Sequence, residues 1–254
     1  MKTYLDQMGR KVVINHSPRR VISLVPSITE YLIDRGVNVV GRTKFCIHPA
    51  KQVAAIPVVG GTKKFNFDVI ADLEPDLIIG NKEENYQEGI TQLASDHAVW
   101  MSDIRSIVDA EQMMKLLGAL FGDVEKAQHF IGRIRLKLDA MKNAYEGRAL
   151  YLIWKNPWMA VGTDTYIHDF MTHLGLRNVI TDDRYPELAT PKKFKILNPS
   201  HVLLSSEPFP FKPEHKEELQ RVLPNASIRF VNGEIYSWYG TRMLNCELKL
   251  GDNL

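Results

Sequence analysis

The feature that most constrains this chain is an alternation that runs nearly its whole length. Short apolar runs end at glycine or proline and give way to stretches whose apolar residues recur at three- and four-residue steps. Strands that short and that apolar are buried on both faces, and intervening helices are what bury them, so the pattern demands α/β layers around parallel sheets. Lys11-Val12-Val13-Ile14 reads as a strand, and Arg20-Val21-Ile22-Ser23-Leu24-Val25 as a buried one ending at Pro26. Ser27 and Glu30 have the spacing of a capping box, so a helix is expected from there to Gly36. Strands follow at 37–40, at 56–59 before Gly60-Gly61, at 77–80 and at 98–101, with helices at 68–73, 86–94 and 107–121 between them.

The texture changes at residue 123. Val124, Ala127, Phe130-Ile131, Ile134, Leu138 and Met141 fall on one helical face, with charged residues crowding the rest. One helix of about 23 residues, roughly 35 Å long, is expected over 123–145. A second α/β set then begins. Strands are expected at 149–154, 178–181, 202–205 and 228–231, with helices at 165–174, 191–197, 213–222 and 240–250. The expected organisation is an N-terminal α/β lobe (1–122), a bridging helix (123–146) and a C-terminal α/β lobe (147–254). Each lobe is Rossmann-like, with a parallel sheet.

Composition narrows function by exclusion. A formal net charge of +2 on 254 residues argues against a protein that grips nucleic acid through its overall field. No apolar run approaches a membrane span, the longest being 116–121. The first ten residues carry a charge every few positions and lack a secretory leader's apolar run. The expected location is therefore cytoplasmic if the sequence is complete as written, and periplasmic if a leader has been removed. Cys46 and Cys246 are too far apart for a zinc-finger spacing. They are read as free thiols, with a Cys46–Cys246 disulfide as the alternative.

No G-x-S-x-G elbow, P-loop or H-E-x-x-H helix is present, so no catalytic residue is assigned. Gly60-Gly61-Thr62-Lys63-Lys64 lacks the P-loop's first glycine. It does place two lysines at a strand end, where open α/β sheets bind ligands. Cys46 and His48 are a single soft pair and cannot by themselves complete a structural zinc site. Aromatic residues cluster after three successive strands of the second set: Trp154-Lys155-Asn156-Pro157-Trp158-Met159, Glu207-Pro208-Phe209-Pro210-Phe211 and Tyr236-Ser237-Trp238-Tyr239-Gly240-Thr241-Arg242. Equivalent topological positions make these clusters a candidate binding wall.

Several of these motifs, in this order, resemble one family. The opening stretch from Arg20 to Glu30 resembles that of periplasmic binding proteins with a helical backbone, the receptors for cobalamin and iron-siderophores that feed ABC importers. Val39-Val40-Gly41, Val58-Val59-Gly60-Gly61, Leu73-Glu74-Pro75-Asp76-Leu77-Ile78-Ile79, Asn198-Pro199-Ser200-His201-Val202-Leu203 and Ser237-Trp238 to Arg242 extend the likeness across nearly the whole chain. The cobalamin-binding branch looks nearest. The resemblance implies two lobes bridged by the long helix, with a ligand cleft between them and no enzymatic activity.

It also implies that Phe45, Trp158 and Trp238 are ligand-facing aromatics, with Arg242 in the same loop as the last; the expected ligand-binding set adds His48, Thr62, Lys63, Lys64, Trp154 and Tyr239 from the residues themselves. Aromatics would supply stacking area, and Lys63, Lys64 and Arg242 would neutralise acidic ligand groups. Where the family carries a tryptophan after Val59, this chain has Thr62-Lys63-Lys64, which leaves room for an anionic chelate. Asp68 matches the first of two acidic positions that dock on the transporter, and Lys192 falls close to the second.

The expected function is reversible binding of a bulky metal chelate, a corrinoid or ferric siderophore, by a monomer with no resident cofactor or metal and an ABC permease as partner. The alternatives are capture of a bare metal ion by Cys46 and His48, with Glu207 or Asp183 recruited, and a cytosolic relative uncoupled from transport. An enzyme using the acids and bases of Arg184-Tyr185-Pro186-Glu187 and Lys82-Glu83-Glu84-Asn85 is a further alternative.

Overall fold

The computed structural model describes residues 1–188 and 191–245, with side chains from Lys193 onward in the helix that begins at Pro191. The chain divides into two compact units. The first comprises Met1–Ile104, Val108–Arg135 and Trp238–Leu244. The second comprises Arg105–Ile107, Leu136–Ser237 and Asn245.

In the first unit four strands lie parallel in the order Val39–Arg42, Val21–Ser23, Leu77–Asn81, Val99–Ser102. Val21, Ile22, Leu77, Ile78 and Ile79 are wholly buried, as a parallel sheet covered on both faces requires. The helices Pro26–Asp34, Phe67–Asp72, Gln87–Asp96 and Ile107–Phe121 supply the cover. Leu24, Val59, Phe65, Ile70, Ile90 and Leu93 join the strand residues in one core.

The second unit repeats the plan. Its parallel strands run in the order Leu176–Asn178, Gly147–Trp154, His201–Ser205, Ser227–Val231, with Met159–Ala160 added antiparallel along Gly147–Trp154. Numbered along the chain, the parallel strands of both units read 2-1-3-4. In each unit the order reverses between the first and third strands, and such switch points open a crevice beyond the carboxyl ends of the strands. Leu150, Leu152, Val202, Leu204, Phe194 and Leu219 are buried in this unit's core.

Several expected elements differ. The helix at 123–145 is Val124–Met141, 18 residues and about 27 Å. Its apolar stripe is as expected, with Ala127, Ile131, Ile134 and Leu138 buried. It stops early because Asn143 takes a φ of 53° and donates its N–H to the His173 carbonyl, while the Tyr145 N–H goes to Leu174. Ser27 is not a cap. Pro26 sets the first helical position two residues earlier, Val25 becomes the N-cap without a side-chain bond, and Glu30 is used elsewhere. Gly60-Gly61 is one arm of a hairpin with Lys64–Phe65, and residues 56–59 form only the isolated bridge Arg42↔Val58. The expected terminal helix is a 3-10 turn, Gly240–Asn245, and the remainder of that expectation, with Cys246, lies outside the described residues.

The sequence reading also missed the hairpin Lys2–Leu5/Lys11–Ile14. Its turn is built on Asp6, whose carboxylate accepts from the N–H groups of Met8, Arg10 and Met101 and from Arg10 Nε at 2.7 Å. The Gln7 N–H adds a bond to the Met101 carbonyl, so the turn is stitched to the sheet's edge strand. Asp6→Ala removes at once the acceptor of the buried Met101 N–H, of the Met8 and Arg10 N–H groups and of Arg10 Nε. The expected cost is about 2–4 kcal/mol, read as a lower urea midpoint with earlier proteolysis around residues 6–16. A change under about 0.5 kcal/mol would mean the carboxylate only decorates the turn.

Candidate functional site

The rim at the carboxyl end of the first unit's sheet is assembled from five segments: Leu24–Pro26, 43–48, the hairpin at 60–65, 81–86 and the returning chain at 238–244. Strand and helix packing fixes the first and fourth, because Ser23 and Asn81 are buried strand ends on either side of the switch point. The hairpin is tied to the second segment by Lys44 N–H to the Gly60 carbonyl at 2.8 Å. The fifth arrives from the second unit's last helix, Gly233–Ser237.

Of the residues singled out in the sequence, Phe45 is about half exposed, with Lys44 Nζ 5.0 Å from its ring centre. His48 is half-buried and meets the edge of Trp238, ring centres 5.6 Å apart and planes at 73°. Trp238 is buried beneath it, with the Arg242 guanidinium 5.4 Å from its ring centre. Arg242 Nε donates to buried Glu30 at 2.8 Å, so much of this cation's charge is already met within the protein. Lys63 Nζ donates to the Glu83 carbonyl at 2.8 Å, and Lys64 is exposed on the hairpin arm. Thr62 stands at the hairpin tip, where its carbonyl accepts from Asn85.

Tyr239 is also buried. Burial pushes its phenol far above the usual tyrosine range, and Glu84 adds to this, so the hydroxyl stays neutral and accepts from Asn81 Nδ2. The structure thus splits the sequence-derived set into exposed groups at the rim (Phe45, Lys63, Lys64) and buried groups behind it (Trp238, Tyr239).

The soft pair at 46 and 48 is divided. Cys46 is fully buried, with the hydroxyls of Thr29 and Thr43 at 3.1 and 3.2 Å from its sulfur. Burial raises its pKa against the opposing effect of those bonds, which keeps it a thiol rather than a metal-binding thiolate. Asp183 accepts from Thr163 Oγ1 at 2.6 Å and Glu207 Oε1 from Ser237 at 3.1 Å. Among the described residues no group of three or more His, Cys, Asp or Glu side chains is placed to hold a metal ion.

At the second unit's switch point an aromatic run crosses from strand end to strand end. Trp154, 39% exposed, touches Phe209 at 5.4 Å between ring centres. Phe209 touches Phe211 at 4.9 Å, and Phe211 lies parallel to Trp158 at 5.9 Å with 9° between planes. Trp158 continues into the core on Phe194. Lys155 sits 4.5 Å from the Trp158 ring centre and pairs with Glu218. The strand ends leading to the run carry a buried polar chain: Tyr151 donates to Ser205, which donates to the Glu207 carbonyl.

Phe209 and Phe211 belong to one of the three aromatic clusters marked in the sequence, although not to its ten-residue ligand-binding set, and they complete this wall. Their signal was the Pro-Phe-Pro-Phe alternation directly after a buried strand. Asn81, a strand end, and Asn85, in the loop after it, gave no sequence signal of a site role. Asp68 is exposed in the first turn of Phe67–Asp72, a helix capped by Asn66 Oδ1. The side chain of Lys192 lies outside the described residues. Among the described residues no helix is long and apolar enough to cross a membrane.

Residues 21–225 match the family model described as periplasmic binding protein. An uncharacterized ABC transporter substrate-binding lipoprotein of Bacillus subtilis (strain 168) is 24% identical over 212 residues, 78% of this chain and 67% of the relative. A vitamin B12-binding protein of Pectobacterium carotovorum is 25% identical over 66% of this chain, and the match spans 64% of that protein, just under two thirds of its length. Among solved structures, the periplasmic catecholate-siderophore binding protein VctP of Vibrio cholerae shares the fold at a TM-score of 0.78. It is 12% identical, with 96% of each chain covered.

Proposed function

This chain belongs to the periplasmic binding protein family, and from that membership we propose that it reversibly binds a bulky metal chelate, a corrinoid or a ferric siderophore, and hands it to an ABC permease. The relatives that match in sequence are a transporter's substrate-binding lipoprotein and a vitamin B12-binding protein, which supports a place outside the cytoplasmic membrane and a permease partner.

The observation that carries the reading is the aromatic run Trp154–Phe209–Phe211–Trp158 at the second unit's switch point. A row of touching rings that is exposed at one end and anchored in the core at the other offers rigid apolar area at low entropic cost. It suits a large flat ligand better than a small polar one. On the first unit, Phe45 adds area, while Lys44, Lys63 and Lys64 favour a ligand carrying acidic groups. His48, Trp238 and Arg242 contribute as a packed stack, with His48 outermost. Asp68, exposed at a helix start, is the proposed contact to the permease.

Titrating cyanocobalamin, a ferric catecholate and haemin against tryptophan fluorescence tests the reading. The expected result is saturable quenching by one of them at sub-micromolar affinity, about 8 kcal/mol of binding free energy. Trp154→Ala and Phe209→Ala should each weaken that ligand about tenfold, the contribution of one aromatic contact. If none of the three quenches at about 50 µM, where a complex this tight would be saturated, the chelate reading fails.

A further inference from the structure

We propose that the side-chain amides of Asn81 and Asn85 are the positioning key of the first unit's rim. They hold the hairpin tip, the 82–86 loop and the returning 238–244 segment in one arrangement, so that a ligand meets a preformed wall. That these segments face the ligand rests on the function proposed above; that they are held as one body does not.

Both asparagines are buried, at 3% and 5% exposure, and their hydrogen-bonding capacity is nearly all used. Asn81 Oδ1 accepts from the N–H groups of Glu83 and Glu84, while its Nδ2 donates to Ser102 Oγ at 3.0 Å and Tyr239 Oη at 3.3 Å. Asn85 Oδ1 accepts from the Asn81 N–H at 2.8 Å, and its Nδ2 donates to the carbonyls of Leu24 and Thr62 at 3.3 and 3.2 Å.

The bonds to Glu83 and Glu84 are local turn-shaping of the kind any loop asparagine supplies. The others are not local. They reach strand ends on both sides of the switch point, the tip of a separate hairpin, and a segment 158 residues away in sequence. Lys63 Nζ to the Glu83 carbonyl and Lys82 to Asp103 at 2.7 Å brace the same segments from outside.

Gly80 shows that the backbone is built around this amide. A Cβ there would stand 2.8 Å from Asn85 Oδ1 and 2.7 Å from Met101 Sδ. Because each amide serves several segments in a buried setting, losing one bond loosens partners that share no other sequence neighbourhood.

Hydrogen exchange on the full chain tests this with two variants. Tyr239→Phe removes the hydroxyl, with its bonds to Asn81, Ser27 and Ser102, and keeps the ring. Exchange should rise at least about fivefold, the equivalent of losing one neutral hydrogen bond or more, in both 82–86 and 238–244. Asn85→Asp keeps the acceptor for Asn81 but sets a carboxylate against two carbonyls, so exchange should rise more than about tenfold at 61–64 as well as at 82–86. Changes confined to 81–86 in both variants would overturn the proposal. Should Asn85→Asp fail to fold by circular dichroism, Tyr239→Phe decides alone.

A binding arm uses whichever of cyanocobalamin, the ferric catecholate or haemin quenches the unmodified protein. Tyr239→Phe should weaken that probe about fivefold while its circular dichroism stays that of the parent. Looser exchange with unchanged affinity would overturn the positioning role. If no probe binds the parent, the chelate reading falls and the exchange result still decides whether the rim is one body.

Discussion

Glu30→Ala is expected to destabilise the first unit by about 3–5 kcal/mol, more than any other polar substitution at the rim. Glu30 lies in the helix Pro26–Asp34 at 3% side-chain exposure, and Arg242 reaches it at 2.8 Å with only 14% of its own side chain exposed. Removing the carboxylate takes a charged partner from a guanidinium that lies over the Trp238 ring with little water to take the place of Glu30. Replacing both partners with apolar residues of similar volume should cost far less, since the penalty comes from stranding one charge rather than from the pair's own net value.

Urea unfolding followed by circular dichroism measures the loss. A value below about 1 kcal/mol would place the pair with ordinary surface ion pairs. The same substitution should free the segment Trp238–Leu244, because that pair and the Asn81–Tyr239 bond are two of its side-chain ties to the first unit.

Gly175→Ala should cost a similar amount, about 3–5 kcal/mol, in the second unit. Gly175 has φ +91°, which side-chain-bearing residues rarely adopt, and an added Cβ would stand 2.1 Å from the Tyr145 carbonyl oxygen. The obstacle is backbone, not a side chain that can swing away. That carbonyl belongs to the turn after the helix Val124–Met141, where the N–H groups of Asn143 and Tyr145 bond to the carbonyls of His173 and Leu174. Alanine must therefore push apart two segments that hold each other by backbone bonds. Thermal unfolding is the measurement, and a fall of less than about 3 °C would show that the turn yields.

Much of the fold was legible because its signals are local. The helices at 107–121, 191–197 and 213–222 have the bounds expected from periodicity, since an amphipathic stripe and its breakers are written in consecutive residues. Buried parallel strands announced themselves as unbroken apolar runs such as Leu77-Ile78-Ile79. The hairpin Lys2–Leu5/Lys11–Ile14 was half missed because Lys2-Thr3-Tyr4-Leu5 buries none of its residues and shows no core-facing pattern; it becomes a strand by pairing. The long helix was overextended because nothing in 142–145 forbids helix. The competing acceptors sit on the helix Tyr166–His173, some thirty residues on.

At the site the division is sharper. Composition and order were enough to find aromatic clusters after strands, and Trp154, Trp158 and Phe209 do stand at a switch point. Whether a given ring is rim or interior was not readable. Trp154 and Trp238 look alike in sequence, yet one is 39% exposed and the other 7%. Arg242 likewise read as a cation for the ligand until Glu30, 212 residues away, proved to be its partner.

The sequence by itself determined the layers, the alternation and the family, because hydrophobic period, breakers and motif order are properties of neighbouring residues. Only the tertiary structure decided which polar groups are already satisfied, which rings are covered, and that Asn81 and Asn85 join the rim's segments. The partner of a buried hydrogen bond or charge is set by which distant segment packs there, and a short-range pattern does not carry that information.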